Sequence, residues 1–229
     1  MPNLWLFLAL FFIAADWAAI WKDWEEVKYA TKPLAMLFLI IWFCSMYVSG
    51  SSMLWFGLGL CFSLIGDIFL LFSYRFFIFG LTVFLLTHLV YLVGLSCCLP
   101  SVTFQFWFLL GAIFCVWISI LVVMVKNLTK SKAHRKMVFP VGIYATAISV
   151  MLLFALWTLF RPDWPPYASG LAASGALLFF ASDVLLALDR FVRPFPNARL
   201  WVRISYHLGQ LALSAGAVMA ANLININHS

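Results

Sequence analysis

The chain alternates between long apolar runs and short polar breaks, and this pattern predicts its structural elements. The runs have roughly the 17–25 residues that an α-helix needs to cross the hydrocarbon core of a bilayer. Charged residues or clusters of Pro, Gly and Ser separate them. The pattern predicts an all-α integral membrane bundle of eight transmembrane helices. The predicted spans are Leu4–Trp21, Pro33–Val48, Met53–Phe72, Phe76–Cys98, Phe104–Val125, Met137–Phe160, Tyr167–Leu188 and Leu200–Ala221.

Composition supports a membrane protein over a soluble one. Hydrophobic residues make up 66% of the 229 residues and charged residues only 10%. A soluble domain is about half apolar and about a quarter charged. Little chain remains outside the spans, so we predict one transmembrane domain covering residues 1–229.

The net charge of +6 reports topology rather than nucleic-acid binding. All but one of the 14 Lys and Arg residues follow odd-numbered spans, and the exception is Arg161. Positive residues collect on the cytoplasmic side of a membrane. The sequence therefore predicts that both termini are non-cytoplasmic, and it favours a bacterial inner membrane over the endoplasmic reticulum.

Two spans share a short repeated pattern. The third span holds Gly59 and Asp67, and the seventh holds Gly175 and Asp183 at the same spacing. The fourth and eighth spans each carry a His-Leu pair. Small residues at helical spacing let helices approach closely. The pattern suggests two similar four-helix halves, although so short a repeat can also arise by chance.

Asp67 and Asp183 are the main candidates for chemistry. Acids inside a bilayer are energetically costly and indicate function, with a structural helix-linking network as the alternative. Two close carboxyl groups cannot both ionise cheaply, so one becomes a candidate general acid and the other a base or stabilising charge. Other polar residues fall at the same depth near the cytoplasmic ends of their spans: Asp16, Lys32, Tyr144, Tyr206 and His207.

Two further residues have structural alternatives. His88 lies near mid-membrane with Tyr91 on the same helical face, and it is either a helix linker or an acid–base group. Asp16 either reaches the interface or pairs with Lys22. The five cysteines all lie in apolar runs, and the histidines lack ligand spacing. We therefore expect no metal site and no cofactor.

Several ordered segments carry a resemblance to a known family. The longest of them starts at Gly175 and continues to Gln210. Because these segments occur in the same order as in that family, the chain resembles the YhhN-type membrane proteins, which include animal lysoplasmalogenase. The matching segments are Lys32-Pro33-Leu34, Ser63 to Asp67, His88 to Tyr91, Phe139 to Tyr144, Gly175 to Phe179, Ser182-Asp183, Leu186-Ala187, Asp189, Phe191, Pro196, Ala198-Arg199, Tyr206 and Gln210.

The resemblance implies hydrolysis of the vinyl ether bond of a lysoplasmalogen. The products are a fatty aldehyde and glycerophosphoethanolamine or glycerophosphocholine. The reaction begins with protonation at carbon and needs a placed acid and a nearby negative charge. Asp67 and Asp183 are the expected catalytic residues, in roles that the sequence leaves open. The partners implied are a lysophospholipid substrate and the lipid bilayer, with no nucleic acid.

The remaining candidate residues are assigned to substrate binding. Each has an alternative: topology for Arg199, interhelical bonding for Gln210, and a salt bridge to Arg193 or Arg199 for Asp189. The candidates are Lys32, His88, Tyr144, Asp189, Arg199, Tyr206 and Gln210.

Three other functions compete with hydrolysis. A proton-coupled transporter would also use intramembrane acids, but such proteins often interrupt helices at mid-depth, and Pro33 and Pro140 are expected at span starts. An intramembrane aspartyl protease is disfavoured because Ile65-Gly66-Asp67 lacks the first Gly of Gly-x-Gly-Asp. A non-enzymatic lipid-binding protein is the third alternative.

Overall fold

The computed structural model describes residues 2–49, 51–71, 76–97, 102–130 and 134–226. Within these ranges it contains eight long α-helices and no strand, which confirms the all-α prediction. Single 3₁₀ turns precede and follow the sixth helix. The helices are α1 (Pro2–Trp21), α2 (Glu25–Ser45), α3 (Met53–Leu71), α4 (Phe77–Ser96), α5 (Phe104–Leu128), α6 (Val138–Trp157), α7 (Pro166–Phe191) and α8 (Ala198–Ile226).

One predicted boundary is wrong. The second helix begins at Glu25, so Pro33 lies inside it and does not open it. The first turn of α2 carries Glu25 and Glu26, and acidic side chains stabilise the positive end of a helix dipole. The helix continues through Pro33 without a break, whereas Pro140 does lie in the first turn of α6. The predicted ends at Phe72 and Cys98 fall outside the described residues.

The helices identify a multi-pass membrane protein. Within the described residues, α1 to α7 are long and apolar enough to cross a membrane by length and composition. The eighth helix has 29 residues but a more polar sequence. His207, Gln210 and Ser214 on α8 are all buried. These three polar side chains therefore face the interior of the bundle, as polar residues within a bilayer are expected to do.

Small residues bring α7 and α8 into close contact. A Cβ atom added to Gly175 would lie 2.5 Å from the backbone nitrogen of Leu213 and 2.8 Å from the backbone oxygen of Gly209. A Cβ atom added to Gly209 would lie 2.8 Å from the backbone nitrogen of Phe179. Only glycine permits this backbone approach, which is the packing that small residues allow in membranes. Asp183 follows Gly175 on α7 and therefore lies on a helix that packs tightly against α8.

The main core draws buried side chains from α1 to α4 and from α6 to α8, and α5 lies at the edge. The ring of Phe179 contacts the rings of Phe84, Tyr91 and Tyr206 at centroid distances of 6.2, 6.4 and 5.5 Å. Few side chains of α5 are buried. The aromatic core forms the inner side of the polar site described below. The arrangement of the helices as two similar halves stays a prediction.

Candidate active site

A cavity of ≈ 870 Å³ opens at one end of the bundle. Its walls come from the last turn of α1, the start of α2, the end of α3, the start of α4, the end of α7 and the start of α8, with Tyr144 from α6. These are the ends of the helices that the charge pattern assigns to the cytoplasmic side. Predicted site residues from separate helices meet there: Lys32, Asp67, Tyr144, Asp183, Asp189, Arg199 and Tyr206.

The cavity has two chemically different sides. One side, the apolar wall, consists of Phe69 and Leu70 of α3 with Phe77, Leu81 and Phe84 of α4. The other side, the basic wall, comes from α2 and α8. It carries Lys28, Lys32, Arg199 and Arg203. A fifth cation of the lining, Arg190 of α7, lies over the ring of Phe77, with its guanidinium carbon 3.8 Å from the ring centroid. A cavity lined by both apolar and charged side chains suits an amphipathic ligand.

Asp67 is fully buried and pairs with a cation. Its Oδ1 lies 2.6 Å from Nζ of Lys32. The hydroxyl of Tyr206 donates a hydrogen bond to Oδ2 of Asp67 at 2.7 Å. The Lys32 ammonium also lies 5.7 Å from the centroid of the Tyr206 ring. Helices α2, α3 and α8 are thus joined at Asp67.

Asp183 has partners of a different kind. The hydroxyl of Tyr144 donates a hydrogen bond to Oδ2 of Asp183 at 2.6 Å, and Nε2 of His88 lies 3.1 Å from the same oxygen. Nε2 of His88 is also 3.0 Å from the Tyr144 hydroxyl. The Asp183 side chain is 13% exposed, and it lines the cavity. Among the described residues, Asp183 Oδ1 has no hydrogen-bond partner.

The two carboxyl groups therefore differ in their surroundings. No hydrogen bond joins Asp67 to Asp183 in the described part of the chain. Each group takes its partners from two other helices. Because Asp67 and Asp183 are not hydrogen-bonded to each other, any division of roles between them must come from their separate partners.

Two other candidates lie further from the cavity. His88 is buried behind Asp183 and reaches the cavity only through Asp183 and Tyr144. Gln210 donates from Nε2 to Ser63 Oγ at 2.8 Å and accepts from the Tyr91 hydroxyl at 2.5 Å, so it links α3, α4 and α8. This geometry favours interhelical bonding for Gln210. Tyr91 bonds Gln210 rather than His88, despite lying on the same face of α4.

Asp189 and Arg199 lie at the rim. The Arg199 side chain is 74% exposed, and its nearest acidic group is Glu25 at 3.6 Å. Asp189 Oδ1 accepts the backbone N–H of Phe195 at 3.4 Å. The described residues contain no salt bridge from Asp189 to Arg193 or Arg199. Asp189 thus holds the turn between α7 and α8.

One alternative predicted that Asp16 pairs with Lys22, but the structure shows a different partner. The Asp16 side chain is fully buried, and Nη1 of Arg203 lies 3.0 Å from Oδ1 and 2.8 Å from Oδ2. The Thr31 hydroxyl also donates to Oδ1 at 3.0 Å. Asp16 is too deep in the bundle for the loop residue Lys22, so it pairs with an arginine of α8 instead.

From the sequence, Arg203 counted only as one of the basic residues that indicate membrane topology. A pattern in α8 could have identified it, because Arg199, Arg203, Tyr206 and Gln210 recur at spacings of three and four residues. That spacing places them on one face of a helix. His207 lies beside this face, buried, and its Nδ1 accepts a hydrogen bond from Trp17 Nε1 at 3.1 Å. No group of three His, Cys, Asp or Glu side chains in the described residues could hold a metal ion.

Comparison with known proteins identifies the family. The sequence model of the YhhN family matches residues 27–217. The chain belongs to the YhhN family. The match begins in the first turn of α2 and includes both Asp67 and Asp183. No solved structure matches the chain.

Curated relatives carry a functional name. The rat protein named lysoplasmalogenase TMEM86B is 29% identical over 232 residues, which cover 97% of this chain and 88% of the relative. The bovine protein named lysoplasmalogenase TMEM86A is 29% identical over 177 residues, covering 70% of this chain and 63% of the relative. Human lysoplasmalogenase TMEM86B is 36% identical over 83 residues, covering 36% of this chain and 32% of the relative. The resemblance seen in the sequence motifs is confirmed at the level of the family.

Proposed function

We propose that this protein is a membrane-embedded hydrolase that cleaves the vinyl ether bond of lysoplasmalogens or a related lysolipid. The products are a fatty aldehyde and glycerophosphoethanolamine or glycerophosphocholine. The observation that carries the proposal is one cavity whose wall presents two carboxyl groups with different partners. The names of the relatives agree with this reaction.

The shape of the cavity supports a single-chain lipid as substrate. An alkenyl chain would lie along the apolar wall formed by α3 and α4, and a charged headgroup would lie against the basic wall. With the orientation that the basic residues predict, the cavity opens to the cytoplasmic leaflet. A lysolipid would then enter with its headgroup at the interface and its chain within the bilayer.

Vinyl ether hydrolysis requires an acid more than a nucleophile. The acid protonates the alkene carbon that is not bonded to oxygen, which forms an oxocarbenium ion. Water then adds to the carbon that bears the oxygen and releases a proton to a base. The resulting hemiacetal collapses when its hydroxyl group loses a proton and becomes the aldehyde carbonyl. At the same time its C–O bond to glycerol breaks and the glycerol oxygen takes up a proton. Acid–base groups placed for such steps accelerate reactions by about 10²–10⁴-fold.

Asp183 is the better candidate for the proton donor. It faces the cavity, and its neighbours His88 and Tyr144 exchange hydrogen bonds without a fixed cation beside the carboxyl group. After it protonates the alkene, Asp183 can accept the proton that the attacking water loses. Since it acts first as acid and then as base, it returns to its starting state.

Asp67 is the better candidate for a permanently charged group. Lys32 lies 2.6 Å from one of its oxygens, and Tyr206 donates to the other. These contacts favour the carboxylate form, because opposite charge and hydrogen bonding both stabilise it. A carboxylate on the same cavity wall would stabilise the oxocarbenium ion by electrostatic attraction.

The experiment uses purified protein in detergent with three lipids. They are lysoplasmenylethanolamine, its saturated ether analogue and an acyl lysolipid, with release of aldehyde and of fatty acid measured separately. We expect aldehyde from the vinyl ether alone, and none from folded Asp67→Asn or Asp183→Asn protein. Asp163→Asn is the matched control, because Asp163 pairs with Arg161 and does not line the cavity. No cleavage by the wild type, or normal cleavage by both cavity variants, would reject the proposal.

A further inference from the structure

Arg203 is a cation that lines the cavity in a position fixed by an ion pair with Asp16. Its side chain is only 16% exposed and forms part of the basic wall. Both of its contacts with Asp16 come from Nη1. Among the described residues, Nε and Nη2 of Arg203 have no hydrogen-bond partner. Most of the donors of this guanidinium are therefore available to a ligand in the cavity.

Asp16 and Thr31 fix the position of this arginine. Asp16 is fully buried on α1 and contacts Arg203 with both carboxyl oxygens, while Thr31 of α2 donates a further hydrogen bond to Asp16. A guanidinium held in this way has little conformational freedom left to lose when a ligand binds. Preorganisation of that kind increases affinity by lowering the entropic cost of binding.

The other cations of the basic wall are less suited to the same task. Lys32 is engaged by Asp67 at 2.6 Å. Lys28 forms an ion pair with Glu25. Arg199 is 74% exposed at the rim, where solvent weakens its interactions. Of these four cations, only Arg203 is largely buried and also has two nitrogens, Nε and Nη2, without a hydrogen-bond partner among the described residues.

The fork of donors on a guanidinium matches two oxygens of a phosphate group. We infer that Arg203 binds the phosphodiester of the lysolipid and that Asp16 is its positioning residue. The inference rests on the proposed function for the identity of the lipid. It adds a residue that recognises the headgroup, and it gives α1, which precedes the matched family region, a part in substrate recognition.

Binding without turnover separates this inference from the reaction. The probes are a saturated 1-O-alkyl-glycerophosphocholine, the 1-O-alkylglycerol of the same chain length, and soluble glycerophosphocholine. Their dissociation constants are measured on the purified protein by quenching of tryptophan fluorescence. We expect the wild type to bind the phospholipid about tenfold to a hundredfold more tightly than the alkylglycerol, as hydrogen bonds to a charged group predict.

Three variants test the residues. Arg203→Gln should remove the preference for phosphate and leave the affinity for alkylglycerol within about twofold. Asp16→Asn should reduce the preference in part, since Arg203 would keep its charge and lose its fixed position. Arg193→Gln, an equal change in charge at the same end of the bundle but outside the cavity lining, should leave the preference unchanged.

A folding control is needed because removing one partner of a buried ion pair leaves an uncompensated charge. The double variant Asp16→Asn/Arg203→Gln removes both charges and should also lose the preference. If glycerophosphocholine competes with the phospholipid for binding, the site recognises the phosphodiester whether or not an alkyl chain is attached. Binding of the lipid alone would assign it to the membrane-bound headgroup, and both results support the role of Arg203.

Two results would overturn the inference. One is equal affinity of the wild type for the phospholipid and the alkylglycerol. The other is a phosphate preference that persists in both Arg203→Gln and the double variant. Loss of the preference in these variants, combined with no cleavage of any vinyl ether, would instead reject the proposed reaction and leave the phosphate site in place.

Discussion

Asp67 on α3 and Asp183 on α7 each lie eight residues after a glycine, yet they have different partners. Asp67 bonds a lysine from α2 and a tyrosine from α8. Asp183 bonds a tyrosine from α6 and a histidine from α4. Each acid therefore draws on the helix before its own and on one from the other half of the chain. The difference lies in the charge of the partner: a cation stands beside Asp67, and neutral or titratable groups stand beside Asp183.

This comparison shows how similar local patterns can serve opposite chemical needs. In the proposed reaction, the carboxyl group beside Lys32 supplies the stabilising negative charge. In the same proposal, the carboxyl group beside Tyr144 and His88 transfers the proton. An acid-catalysed hydrolase that forms a cation needs both kinds of group. The variants below test the division, starting with the largest effect.

The first prediction separates activity from stability at the two acids. Asp183→Asn should lower kcat about 10²–10⁴-fold, because it removes the proton donor. Its unfolding free energy should change little, since an amide still bonds Tyr144. Asp67→Asn should lower both activity and stability, because Lys32 is left without its counter-charge. Kinetics with the vinyl ether lipid and unfolding curves in mixed micelles measure the two effects. The assignment would be reversed if Asp67→Asn lost only activity and Asp183→Asn lost only stability.

The second prediction concerns the cation beside Asp67. Lys32→Met should lower the unfolding free energy by about 3–5 kcal/mol, as expected when one partner of a buried ion pair is removed. The double variant Lys32→Met/Asp67→Asn should recover most of that stability without recovering activity. Unfolding by SDS titration checks the first part and aldehyde release the second. Full activity in the stable double variant would show that the pair is structural only.

The third prediction compares the two glycines that precede the acids. A Cβ atom at Gly175 meets the backbone of α8, whereas one at Gly59 meets the ring of Tyr91. Overpacking of this kind costs about 1–3 kcal/mol. Gly175→Ala should cost more than Gly59→Ala, because a helix backbone cannot move aside as a side chain can. Unfolding curves of the two alanine variants give the comparison, and a larger loss at Gly59 would contradict it.

The fourth prediction is the smallest and uses the two tyrosines. Tyr144→Phe and Tyr206→Phe each remove a single hydrogen bond to a carboxyl group, at 2.6 and 2.7 Å respectively. Each loss should amount to about 1–3 kcal/mol. We expect it mainly in kcat for Tyr144→Phe and mainly in stability for Tyr206→Phe. Equal effects of both variants on kcat and on melting temperature would argue that the two acids have the same role.

Much of the fold follows from the sequence for simple physical reasons. Apolar runs of membrane-spanning length predict helices, and the bilayer leaves few other structures available. The start of α2 was missed because its first two turns are polar and Pro33 resembles an N-terminal proline. A common level for Asp67 and Asp183 within the bundle could be predicted too, since rise per residue converts position along a helix into distance. Both acids line the same cavity.

The partners of these acids could not be predicted in the same way. Tyr206 lies 139 residues from Asp67 in sequence, and His88 lies 95 residues from Asp183. Periodicity shows which residues share a helical face but not which helix that face meets. For the same reason Gln210 could not be separated from the substrate-binding residues, and Arg203 was counted only as a topological charge.

The sequence by itself determined a multi-pass helical membrane protein of the YhhN family, with acids at one level near the basic end of the bundle. Only the tertiary structure decided that Lys32 stands beside Asp67, that His88 and Tyr144 stand beside Asp183, and that Asp16 holds Arg203. Helix length and depth are local properties fixed by composition and rise per residue. The pairing of charges depends on how distant helices pack, and close contacts such as the one between Gly175 and α8 set that packing.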